Sequence, residues 1–107
     1  MQITINIEGK EKTFTTSQVP MLARRKFLEI RAKEEGILEE KSRIPAEKQI
    51  ELENEMINIL VEVVFNNQFT ADDLLNGVSD EYFDKKLHEA IFGIVENDEE
   101  GNEKGKK

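Results

Sequence analysis

The side chains able to do chemistry are few in kind. There is one histidine, His88, no cysteine, and 23 carboxylates in 107 residues. Without cysteine there is no disulfide framework, zinc-thiolate site or thiol nucleophile. No serine stands in a Gly-x-Ser-x-Gly turn, so hydrolase constellations lack their parts. His88 follows Leu87 at the edge of an apolar helical stripe and reads as a structural or solvent-facing imidazole rather than a general base. Glu34, Glu35, Glu39, Glu40, Glu51, Glu53 and Glu55 come in runs, which is the pattern of wet helix faces and a polar connection rather than of a convergent pair. Asp98 to Asn102 superficially resembles a calcium loop around Gly101. That register puts Glu96 first and Lys107 twelfth, where a bidentate glutamate is required, and no helix follows. The reading is therefore of a non-enzyme with no catalytic, metal or cofactor residues.

The remaining charged feature is basic. Arg24-Arg25-Lys26, with Arg31 and Lys33, forms a cluster that Lys10 and Lys12 can join. Residues 10–33 hold seven bases and two acids, whereas residues 34–62 hold nine acids and three bases. One reading has the two stretches facing each other as ion pairs, each worth little. The other is a recognition element for nucleic acid or for an acidic partner. A formal net charge of −8 opposes phosphate binding, only one helix carries the bases, and no aromatic platform accompanies them. The intramolecular reading is the favoured one.

These residues must be positioned by a small domain. Charged side chains make up 36% of the chain against a norm of about 25%, and apolar ones 37%. The length suits one domain with a modest core. No apolar run approaches the ~18 residues of a membrane span, and Met1 leads into an alternating segment rather than a signal peptide. The expectation is a soluble, acidic, intracellular protein.

Ile3, Ile5 and Ile7 alternate with polar residues, as in a half-buried strand, and Gly9 divides them from a second run ending at Thr16. The two form a β-hairpin over 2–16, which must lie on something to be stable. A helix then starts at Val19-Pro20, with Ala23, Phe27 and Ile30 on one face. Gly36 supplies a stop, leaving Ile37–Arg43 as a polar connection or as an extension of the helix. Pro45 marks a second start. Met56 through Phe65 is apolar nearly all round, a helix for the middle of a domain or for a partner's surface; its β-branched residues leave a strand over 59–65 as the alternative. Thr70, followed by Ala71-Asp72-Asp73, caps a short helix closed by Gly77. Ser79 caps the last one, with Phe83, Leu87, Ala90, Ile91 and Ile94 on its stripe. Residues 96–107 cannot bury enough surface to offset their ordering entropy and read as a disordered charged tail. The fold class is thus mainly α: about four helices with a short N-terminal β-hairpin, in a single domain over 1–95.

The apolar inventory exceeds what such a domain needs. Phe92 and Val95 lie off the Phe83–Ile94 stripe and make the last helix apolar on two sides. Either the core is wrapped all round or some of this surface awaits a partner.

Two stretches carry a resemblance to a known family. One runs from Phe14 through Val19-Pro20 to Arg24-Arg25; the other is Val63-Val64-Phe65-Asn66-Asn67-Gln68-Phe69-Thr70-Ala71-Asp72-Asp73-Leu74-Leu75-Asn76-Gly77. In these the chain resembles the tail assembly chaperones of long, non-contractile-tailed bacteriophages, particularly those of Gram-positive hosts, over most of residues 1–95. The resemblance implies a non-enzymatic protein that binds the long, helical, apolar tape measure protein in the host cytoplasm. It keeps that partner soluble while tail tube subunits assemble, and is absent from the mature virion. It further implies a longer product of ribosomal frameshifting that recruits tail tube protein, this chain corresponding to the short form. Gly105-Lys106-Lys107 is compatible with a purine-rich slippery codon run.

Partner-binding residues are read from the apolar inventory instead: Phe65, Phe69, Leu74, Leu75 and Phe92 are expected to line a groove for a partner helix. A homo-oligomer is compatible with this reading; nucleic acid and membrane are not expected partners. The rival functions are a small nucleic-acid-associated regulator using Arg24, Arg25 and Lys26, and a structural tail component that stays in the particle.

Overall fold

A computed structural model describes residues 1–93. Strands β1 (Gln2–Ile7) and β2 (Lys10–Thr15) pair antiparallel, with Ile3 opposite Phe14 and Ile5 opposite Lys12. Glu8 and Gly9 both take positive φ (54° and 81°), which matches the twist of a two-residue hairpin turn. Asn6 Oδ1 accepts from the Gly9 N–H at 3.0 Å and holds the turn. Ile3 and Ile5 are fully buried, so the hairpin lays its apolar face on the helices, as an isolated two-stranded ribbon must.

Helix α1 (Met21–Glu40) buries Ala23, Phe27 and Ile30, the expected stripe. Gly36 does not end it. The helix runs four residues further and closes with the Lys41 N–H on the Ile37 carbonyl. Ile37, two turns after Ile30, extends the stripe against the core, and that packing outweighs the ~1 kcal/mol by which a helical glycine is disfavoured.

Helix α2 (Ala46–Asn58) follows Pro45 and passes directly into a π-helical segment, Ile59–Val64. The strand alternative for this stretch is thereby excluded. The Phe65 N–H reaches the Leu60 carbonyl, five residues back, at 3.0 Å. Ile59, Leu60, Val61 and Val64 are all buried, so this segment is the central post of the domain. π-Helical turns are rare, and here one widens a stretch that is enclosed on nearly every side. Asn66 and Asn67, both left-handed (φ 53° and 62°), end it; asparagine tolerates that conformation better than most residues.

Helix α3 (Ala71–Gly77) opens with a capping box: the Asp73 N–H donates to Thr70 Oγ1 at 3.1 Å, and the Thr70 N–H to the Asp73 carboxylate at 2.9 Å. Helix α4 (Asp80–Phe92) is capped by Ser79 and ends at Gly93, which is left-handed (φ 69°). Ile94, Val95 and the charged stretch 96–107 lie outside the described residues. The fold is mainly helical with an N-terminal hairpin, as the patterning predicts.

Gly77 closes α3, but by proximity rather than by backbone conformation, since its φ is not positive. A Cβ there would overlap the Asn6 carbonyl oxygen of β1 and stand 2.6 Å from Ile5 Cγ2. The short helix therefore lies directly on the strand. Gly77→Ala is expected to cost about 1–3 kcal/mol in urea unfolding, because backbone and not a flexible side chain must give way. A change within about 0.5 kcal/mol, the usual surface value, would contradict that close approach.

Candidate functional site

Of the five residues expected to line a groove, two, Phe65 and Phe69, are packed inside the core, and a third, Leu74, is buried yet forms part of a groove wall. Phe65 is 0% exposed, Leu74 2% and Phe69 4%. The left-handed Asn66-Asn67 turn folds the chain back so that Phe69 sits between Phe65 and Phe14, with ring centroids 5.3 and 5.0 Å away. Gln68 Nε2 donates to the Thr15 carbonyl at 2.9 Å and fastens this turn to the hairpin. These aromatic residues are the seam between hairpin and helices, so the expectation that they contact a partner is corrected by their burial. Leu75 and Phe92 are different: they are 55% and 46% exposed.

Leu75 lines a groove flanked by α2 and α4, and Phe92 lies beside that groove, against Phe27 and His88 of its lining. Its first part, about 340 Å³, has Ile57, Leu74, Leu75, Val78 and Phe83 as apolar lining. Its second part, about 360 Å³, is lined by Phe27, Leu52, Met56, Phe83 and Leu87 among others. Phe83, Glu53 and Asp80 belong to both, so the parts adjoin. Beside the second part, the Phe92 ring meets Phe27 edge-on at 5.8 Å and His88 at 5.5 Å. On α2, Ile50 is exposed two turns before Ile57.

The rim is acidic. Glu34, Glu53, Asp80 and Asp84 face a single guanidinium, Arg31, which is 3.4 Å from Glu34 and lies over the Phe27 ring. His88 Nδ1 is 3.1 Å from the Asp84 carbonyl of its own helix, a local hydrogen bond. The groove has an apolar floor and carboxylate lips. Among the described residues there is no group of histidine and carboxylate side chains placed to hold a metal ion, and no helix long and apolar enough to cross a membrane.

The basic cluster divides. Lys33 Nζ pairs with Glu55 across α1 and α2 at 2.8 Å, and this hydrogen bond raises the Lys33 pKa above its ordinary value. Lys33 is thus held charged at neutral pH, and its contribution to the pair fades as pH climbs through that raised range. Lys33 and Arg31 fulfil the intramolecular reading. Arg24 and Arg25 make no ion pair among the described residues and are exposed on the outer side of α1.

Sequence reasoning missed Leu52, Met56 and Phe83 as groove residues. The signal was present in the four-residue spacing of Leu52 and Met56, with Glu53 between them. It was masked because Phe83 and Leu52 also satisfy the helical stripes of an ordinary core.

A family model described as phage tail chaperone protein matches residues 1–107. No curated protein and no solved structure matches the chain.

Proposed function

The chain belongs to the phage tail chaperone family, and from that premise we propose that it binds an amphipathic segment of the tape measure protein in the groove between α2 and α4. The carrying observation is the groove itself, apolar along its floor, with exposed Leu75 in its lining and exposed Phe92 packed beside it on Phe27 and His88. A long helical partner presents apolar residues at i, i+3, i+4 and i+7, and helices of that kind dock in hydrophobic grooves of this form. Each square ångström of apolar surface so covered contributes about 25 cal/mol, offset by the ordering of both partners. Covering the stripe removes the surface through which tape measure helices associate with one another. The chaperone's net charge of −8 keeps the complex dispersed by mutual repulsion.

Acidic lips favour a partner segment with lysine or arginine beside its apolar stripe. This chaperoning takes place in the host cytoplasm, before tube subunits polymerise, and the protein leaves before the particle is complete. Recruitment of tube protein belongs to a longer frameshifted product.

Co-expression tests the proposal. A tape measure fragment that pellets when made alone should move to the supernatant and co-purify when this chain is made with it. A fragment that stays insoluble beside abundant soluble chaperone would refute the reading. Purified virions should lack the chain by mass spectrometry; its presence there would favour a structural tail component.

A further inference from the structure

The outer side of α1 sets large apolar side chains beside unengaged bases. Met21, Arg24, Arg25 and Leu28 fall at i, i+3, i+4 and i+7 and form one ridge, opposite the buried Ala23–Phe27–Ile30 stripe. Met21 is 82% exposed and Leu28 52%, with Leu22 beside them at 49%. Residues 21–28 include three bases and no acid. Among the described residues, neither Arg24 nor Arg25 makes an ion pair. Such a surface is complementary to a segment that joins apolar side chains to carboxylates.

The chain carries such a segment close by. Residues 94–100 read Ile-Val-Glu-Asn-Asp-Glu-Glu, two β-branched apolar residues followed by four acids, with no base among them. Their point of attachment is beside α1: α4 ends at Gly93, and the preceding Phe92 packs edge-on against Phe27, with ring centroids 5.8 Å apart. Nothing stands within 4 Å of where a Cβ on Gly93 would lie, so the chain leaves α4 into open space. Five residues beyond Gly93 reach at most about 17 Å, whereas a helix with its side chains is about 10–12 Å across. The carboxylates can therefore round α1 from the Phe27 side to the ridge. The order of side chains matches too. From the level of Phe27, the ridge presents Leu28 first, Arg25 and Arg24 about one turn nearer the N-terminus, and Met21 a turn beyond. The segment presents Ile94 and Val95 first, and Asp98, Glu99 and Glu100 after them.

We propose that residues 94–100 run antiparallel to α1 over its outer ridge, Ile94 and Val95 against Leu28, and the carboxylates against Arg24 and Arg25. Each exposed ion pair is weak by itself. Attachment a few residues away makes the encounter intramolecular, with an effective concentration on the order of millimolar, and this holds the contact together. The occupant of the ridge is thus the chain's own acidic stretch, whatever the α2–α4 groove binds.

The absence of native cysteine makes a single spin label practicable on the full chain. With a nitroxide on Asn102→Cys, the broadening of backbone amide signals in NMR spectra reports which residues the segment approaches. At low salt the amides of residues 21–28 should broaden well beyond those of α2. At about 0.5 M salt, where exposed charges are screened beyond roughly 4 Å, that excess should be lost. Arg24→Glu/Arg25→Glu should abolish it, and so should Asp98→Lys/Glu99→Lys/Glu100→Lys. The two sets combined should restore it, because both partners have changed sign. Arg24 and Arg25 are exposed, and circular dichroism melts verify that each variant folds. In an equal mixture of spin-labelled chain and isotope-labelled chain, only contacts between copies broaden signals, and residues 21–28 should stay sharp. Broadening there in the mixture would assign the contact to a second copy and overturn the proposal. Equal broadening of every element, broadening that survives either charge reversal, or a combined variant that fails to restore it would overturn it as well.

Discussion

Phe65→Ala is expected to lower the free energy of unfolding by about 3–5 kcal/mol, the range for truncating a fully buried aromatic. Phe65 has no exposed surface, and its ring lies 5.3 Å from that of Phe69, which in turn meets Phe14 of the hairpin. Its backbone N–H closes the π-helical segment on Leu60. Truncation leaves a cavity at the point where the central helix, the Asn66-Asn67 turn and the hairpin converge. Little around it can collapse, because the turn is fixed by two left-handed residues and by the Gln68–Thr15 hydrogen bond. Domains of this size have about 5–15 kcal/mol in total, so the variant should sit near its unfolding midpoint under mild denaturant. Urea titration followed by circular dichroism gives the number. A loss below about 1 kcal/mol would mean that Phe65 is not in the core.

Leu75→Asp combined with Phe92→Asp is expected to abolish solubilisation of the tape measure fragment while leaving the chaperone folded. Interface anchors cost upwards of about 2 kcal/mol each, so two lost anchors weaken binding by roughly a thousandfold. Stability should change far less. Both side chains already meet water, and only the Phe92 ring contacts with Phe27 and His88 are forfeited, worth about 0.5–1.5 kcal/mol. Phe69→Asp makes the instructive contrast, because it places a carboxylate at a 4%-exposed site and should unfold the domain. Co-purification undiminished by the double substitution, with the protein folded, would remove the groove from the account.

That contrast marks where sequence ceases to specify the site. The alternation of Ile3, Ile5 and Ile7, the Thr70 and Ser79 caps and the Ala23–Phe27–Ile30 stripe are local patterns, each tied to one backbone period, and the structure follows them. Gly36 leaves both a stop and a longer helix open, because a helical glycine and a terminal glycine look alike until the Ile37 contact is known. Gly77 was placed correctly at a helix end, yet the reason is its approach to Asn6, a long-range fact. An excess of apolar residues was legible; its division between core and surface was not. Phe65, Phe69 and Leu75 lie within eleven residues, and only the left-handed turn at Asn66-Asn67 decides which of them face inward. Phe92 was legible as a surface residue because it falls off the Phe83–Leu87–Ile91 stripe.

The most direct measurement of the central claim is amide hydrogen exchange on the complex between this chaperone and a tape measure fragment, compared with the chaperone alone. Partner binding in the groove should slow exchange in α4 and α3 and in α2 near Ile50–Ile57, most of all where each element is least protected in the free protein. The outward face of β2 should exchange as before. Protection confined to the hairpin or to the connection after Glu40, with α2, α3 and α4 unchanged, would contradict the account.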